Sequence, residues 1–150
     1  MAERIQNRKA TFDFDILERL KAGVELFGYE VKALRAGKAK LQGARVLVRG
    51  GEAFLVGASI SPFQQKNTPK EYDVERPRRL LLSKKEIDLI VGAESQKGLT
   101  CIPLEWHNSG RYVKLVIAIA RGKKKADKRE TLKSRDTKRE IDRALKRNKA

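Results

Sequence analysis

The last thirty residues cannot build a folded core, and this confines any domain to the first 120. Residues 121–150 carry 14 Lys+Arg against 5 Asp+Glu, with only Leu132, Ile141 and Leu145 as large apolar groups. Burying three such side chains does not offset the entropy of ordering thirty residues. The segment nevertheless has no proline, its only glycine is Gly122, and its Lys, Arg, Glu, Leu and Ala are good helix formers. Ile141 and Leu145, four apart, would share a helical face. The expectation is a tail that is disordered when free and helical on a partner that screens its charge. A helix over 128–147 would span roughly 30 Å.

The excess charge is chain-wide as well as local. Among 150 residues there are 35 Lys+Arg and 19 Asp+Glu, a formal net charge of +16. A chain this basic repels itself, which a polyanionic partner relieves. Hydrophobic residues still make up 40% of the whole, enough for one compact body. Cys101 is the only cysteine, so no intramolecular disulfide is available, and its apolar neighbours Leu99, Ile102 and Leu104 suggest a buried strand thiol. No apolar run is long enough to span a membrane, and the first residues lack the apolar stretch of a signal peptide. The expected location is the cytoplasm.

Hydrophobic patterning over 1–120 reads mainly as strands. Residues 1–11 are polar and basic and read as a loose arm or a cap. Residues 12–21 fit strand or helix; a strand is favoured, with Ala22-Gly23 as a turn and 24–27 as its partner. Residues 28–34 extend that strand or open a short helix ending near Gly37. The segments 44–49 and 53–60 flank Gly50-Gly51, a hairpin signal. Pro62, Pro69 and Pro77 interrupt 61–79, which reads as a long loop. A short strand at 79–82 precedes Ser83, whose spacing to Glu86 makes a capping box for a helix over 84–97, stopped by Gly98. Strands at 99–106 and 111–120 join through Asn108-Ser109-Gly110. The predicted fold is mainly β with accessory helices: a small closed antiparallel barrel of the oligonucleotide-binding class over 1–120, followed by the basic tail 121–150.

Two basic constellations stand out. Gly122 to Arg129 is the densest positive block, and it follows a long apolar strand that can aim it at phosphates. Lys32, Arg35 and Lys38 recur every three residues and would share one face of a short helix; an ordinary solvated face fits that spacing equally well. Most of the aromatic residues sit in strand patterns that suggest core, and Phe63 and Tyr72 in the long loop are the better candidates for base stacking. Signals for catalysis are poor. His107 is the only histidine, the glycines match no phosphate-binding loop, and Ser, Cys and His form no nucleophile signature. No metal, cofactor or catalytic residue is expected.

Several stretches, in order along nearly the whole chain, closely resemble the SsrA-binding protein family, also called small protein B. They are NRKA (7–10), EVKALRAGKAKL (30–41), ISPF (60–63), RPRRLLLSKKEI (76–87), KGLTCIPL (97–104) and ARGKKKADKRE (120–130). The resemblance implies binding to the tRNA-like domain of transfer-messenger RNA and delivery of that RNA to stalled ribosomes. It implies a tail that enters the vacant messenger channel and decoding centre, with elongation factor Tu and alanyl-tRNA synthetase acting through the RNA. Positions that the family links to RNA binding fall at Asn7 and Leu81, and the matched motifs add Arg8, Lys9, Glu30, Lys32, Arg35 and Lys38. Lys21 stands where the family usually has an acidic residue, so the polar contact the resemblance implies there is either lost or replaced by a phosphate contact. In the tail, Gly122, Lys123, Lys124, Asp127, Lys128 and Arg129 match the family block, and Lys133, Arg135, Ile141 and Leu145 complete the expected ribosome-binding set. Thr137 stands where many members have tryptophan. On residues alone, two other readings stay open: a ribosomal or nucleoid protein with a basic tail, and an RNA-modifying enzyme, which would need a pocket of converging polar groups.

Overall fold

The fold is built around one long strand. In a computed structural model that describes residues 5–64, 66 and 68–123, β1 runs from Phe14 to Val24 without a break. The turn expected at Ala22-Gly23 does not form. Ala22 is fully buried opposite Leu115, and Gly23 lies between Leu81 and Lys114. A Cβ at Gly23 would sit 3.2 Å from the Cβ of Leu81, so this glycine serves a close strand approach and not a reversal.

A bulge between Ile16 and Glu18 then lets β1 serve two cores. Phe14 and Ile16 pack with Ala10, Ile102, Leu104, Val116, Ala118 and Ala120. Leu20 and Val24, of the same parity, join Ala22 in the main core with Leu80, Leu115, Ile117, Cys101 and Trp106. A second bulge, between Pro103 and Glu105, makes the matching switch in the neighbouring pair of strands.

Around β1 the remaining elements are α1 (Arg8–Asp13), α2 (Gly28–Arg35), β2 (Ala39–Lys40), β3 (Arg45–Arg49), β4 (Glu52–Val56), β5 (Ser59–Ile60), β6 (Arg78–Leu81), α3 (Lys84–Glu94), β7 (Leu99–Ser109) and β8 (Tyr112–Gly122). A six-stranded antiparallel sheet has the order β3-β4-β6-β1-β8-β7, and β2 pairs with β5 separately. The mainly β expectation holds, but the sheet is not closed. Its edges β3 and β7 approach each other without a ladder among the described residues, and α3 packs against both.

Local chemistry explains most boundaries. Gly50 and Gly51 have φ of 59° and 77°, as a two-residue type I′ hairpin requires. In α3 the Ser83 hydroxyl accepts from the Glu86 N–H at 3.2 Å, and the Glu86 carboxylate accepts from the Ser83 N–H at 3.0 Å. That helix ends three residues before the expected 97. α2 closes with a Schellman arrangement: the N–H groups of Gly37 and Lys38 donate to the carbonyls of Leu34 and Ala33 at 3.0 and 2.9 Å.

In their described part the first residues form a cap and not a loose arm. The Asn7 N–H donates to the Leu104 carbonyl at 2.7 Å, the Trp106 N–H donates to the Ile5 carbonyl at 3.0 Å, and α1 follows directly. At the other end β8 continues past 120. Arg121 and Gly122 pair with Asp15 and Phe14, and the Lys123 N–H donates to the Asp13 carbonyl at 2.9 Å.

Candidate nucleic-acid interface

Strand alternation puts one set of side chains on the sheet's outer face. From β8 these are Tyr112 and Lys114, and from β1 Arg19 and Lys21, which lie opposite Ala118 and Val116. Lys21, Arg19 and Lys114 are all exposed. Beside them Leu81 is 50% exposed, lying over Gly23, where the missing side chain leaves room for it. Lys21 and Leu81, predicted from separate motifs, thus meet on neighbouring strands of one face. Arg8 lies exposed on α1, and it and Arg19 line a cleft of about 260 Å³ with Gln6, Leu104, Glu105 and Val116. Lys9 reaches the other side of α1, where it and Arg45 border a cleft of about 300 Å³.

Lys32 and Arg35 are exposed on α2, and Lys38 follows its C-terminus, where cations complement the helix dipole. Arg35 donates to the Arg111 carbonyl at 3.3 Å, tying α2 to the tip of the β7–β8 hairpin. The Lys38 ammonium lies 5.6 Å from the centre of the Phe63 ring.

Two predicted site residues are placed differently from an exposed RNA contact. Asn7 is only 6% exposed. Its amide donates to the carbonyls of Leu41 (3.3 Å) and Pro103 (3.0 Å), and its side-chain oxygen accepts from the Ala10 N–H. It caps α1 and staples it to β7.

Glu30 is fully buried. One carboxylate oxygen accepts from Arg78 (2.8 and 3.1 Å), from Arg76 Nε (3.2 Å) and lies 2.9 Å from the Tyr72 hydroxyl; the other accepts from the Phe27 N–H at 2.9 Å and from Arg76. Burial pushes the carboxyl up, but hydrogen bonds from Arg76, Phe27, Arg78 and Tyr72 outweigh it and hold Glu30 below the usual carboxylate value. Burial and then the Glu30 contact push the Tyr72 hydroxyl up to about 12. Tyr72 is therefore held inside this network and is no free stacking platform, with its ring edge-on to Tyr29. Arg76 lies over Phe27 at 4.2 Å.

This network was missed by sequence reasoning. One signal was present: Glu30 shares the buried face of α2 with Ala33 and Leu34, and a carboxylate on an apolar stripe requires a buried cation. Arg78, facing inward on β6 beside Leu80, is that cation.

Of the predicted tail set, Gly122 ends β8, and the Lys123 ammonium lies 4.0 Å from the Asp15 carboxylate. Lys124, Asp127, Lys128, Arg129, Lys133, Arg135, Ile141 and Leu145 lie outside the described residues, as does Thr137. Among the described residues, no cluster of side chains could hold a metal ion, and no helix is long and apolar enough to cross a membrane.

With this geometry in hand, comparison with known proteins is decisive. The family model described as SmpB protein matches residues 4–147. The chain belongs to the SsrA-binding protein (SmpB) family. It is 48% identical over 141 residues to the SsrA-binding protein of Microcystis aeruginosa, covering 94% of this chain and 92% of that one. The SsrA-binding proteins of Burkholderia vietnamiensis and Pseudomonas paraeruginosa are 48% and 47% identical, over 91% and 96% of this chain and 92% and 91% of theirs. Among solved structures, a chain described under "tmRNA-SmpB: a journey to the center of the bacterial ribosome" is 40% identical. It superposes with a TM-score of 0.69, over 83% of this chain and 87% of that one.

Proposed function

We propose that this chain binds the tRNA-like domain of transfer-messenger RNA and carries it to stalled ribosomes for peptide tagging. The body holds folded RNA through the outer-face and α2 cations, with Leu81 supplying apolar contact. The curled sheet works as a partly open barrel of the oligonucleotide-binding type. The tail, divided from the body after Lys123, enters the empty messenger channel and decoding centre. Elongation factor Tu and alanyl-tRNA synthetase join through the RNA. The protein acts by binding alone, without a reaction of its own, and works in the cytoplasm.

The observation that carries this reading is the family match from residue 4 to residue 147, which takes in body and tail together. Free cations on one face of a sheet fit phosphate-backbone binding. Sequencing the RNA that co-purifies with the chain tests it. Enrichment of transfer-messenger RNA over ribosomal RNA is expected, and equal recovery of all RNAs would refute it.

A further inference from the structure

The β7–β8 hairpin ends in a feature that strand patterning hides. Tyr112 is 70% exposed, more than any other large hydrophobic residue among the described residues. Among the described residues its ring stacks on no other aromatic and its hydroxyl makes no hydrogen bond. Its surroundings are cationic. Lys114 lies two residues on, along the same face, and Arg111 sits in the turn. Arg35 is held against the turn by its bond to the Arg111 carbonyl, and Lys32 stands one helical turn before it. The one carboxylate of α2, Glu30, is buried and neutralised by Arg76 and Arg78.

We infer that Tyr112 is a stacking platform for an unpaired nucleobase of the bound RNA, with Arg111, Lys114 and Lys32 taking the flanking phosphates. A flat exposed ring with cations on the same strand face and in the adjoining turn is what an unpaired nucleotide needs, since every base offers a π-face and every linkage a charge. A paired stem offers no free base face there. The inference rests on the RNA-binding reading above. It also gives that reading a geometry: Tyr112 and Gly122 stand at opposite ends of one strand, about 33 Å apart at ~3.3 Å per residue. The base contact and the root of the tail are then at opposite poles of the body.

The test measures affinity of the full chain for the tRNA-like domain of transfer-messenger RNA and for a fully paired RNA duplex of equal length. Tyr112→Val keeps strand propensity and removes the ring; Tyr112→Phe and Tyr112→Trp keep it. Stacking predicts that Tyr112→Val weakens binding of the tRNA-like domain about 5- to 150-fold. The Phe and Trp variants match the wild type, duplex affinity is unchanged, and so is the salt slope, because no phosphate contact is lost. Wild-type affinity in Tyr112→Val, or equal weakening toward duplex, overturns the inference while the RNA-binding reading stands. A wild-type chain with no preference for the tRNA-like domain overturns both.

Discussion

Replacing Glu30 by Gln should unfasten the body more than any surface change could. In the wild type, Arg78 is fully buried and donates both Nε and one terminal nitrogen to Glu30. The substitution removes the only negative charge set against that guanidinium among the described residues and turns one acceptor into a donor. Breaking one side of a buried ion pair costs about 3–5 kcal/mol, a large part of the roughly 5–15 kcal/mol that stabilises a domain. The melting temperature should fall by roughly 10–20 °C. Urea unfolding followed by far-ultraviolet circular dichroism reads the loss directly, and Arg78→Met combined with Glu30→Gln should cost about 1–3 kcal/mol less than the two singles added.

The pH dependence gives an independent sign. The folded-state pKa of Glu30 is lowered. Its contribution is therefore complete above the ordinary carboxylate value, about 4.3, and is lost as pH falls through the folded value. The gap between wild type and Glu30→Gln should be full at pH 7 and narrow below about pH 4. A loss under ~1 kcal/mol at pH 7, or a gap that widens in acid, would refute the reasoning.

Other outcomes follow from single sites. Asn7→Ala removes the cap of α1 and the donor to two carbonyls and should cost about 1–3 kcal/mol by denaturant titration. Asn7→Asp, a good cap but no donor, should be no better. Burial and then the nearby Glu94 push the Cys101 thiol up to about 12, so a thiol reagent at pH 8 should label it only once the protein is unfolded. Lys21→Gln should leave the melting temperature unchanged and lower the slope of log K against log salt by about 0.7–0.9 in filter binding; an unchanged slope would remove Lys21 from the interface.

Elements with strong local chemistry were legible in the sequence. The Gly50-Gly51 hairpin, the Ser83–Glu86 capping box and the close of α2 at Gly37 each depend on neighbours in the chain, and each stands where the residues place it. Tertiary forces decided the rest. Ala22-Gly23 looks like a turn until Leu81 is seen to need the space over Gly23. NRKA leaves arm or cap open because nothing local shows that the Asn7 amide will find the carbonyls of Leu41 and Pro103.

At the site, the pattern Lys32, Arg35, Lys38 was visible as a periodic basic face, and all three are exposed. The burial of Glu30 is not legible locally because its partners Tyr72, Arg76 and Arg78 all lie more than forty residues away in the chain. Tyr112 alternates with Lys114 on one face of its strand, and only the packed sheet shows that this end of the face is left uncovered.

The division between a body that grips RNA and a tail that serves the ribosome is tested most directly by ending the chain after Lys123. That cut keeps the whole β8 ladder. At moderate salt the shortened protein should bind the tRNA-like domain within a few-fold of the full chain, yet fail to support tagging of peptides on stalled ribosomes. Collapse of that RNA affinity together with tagging would contradict the account, as would tagging that survives the cut.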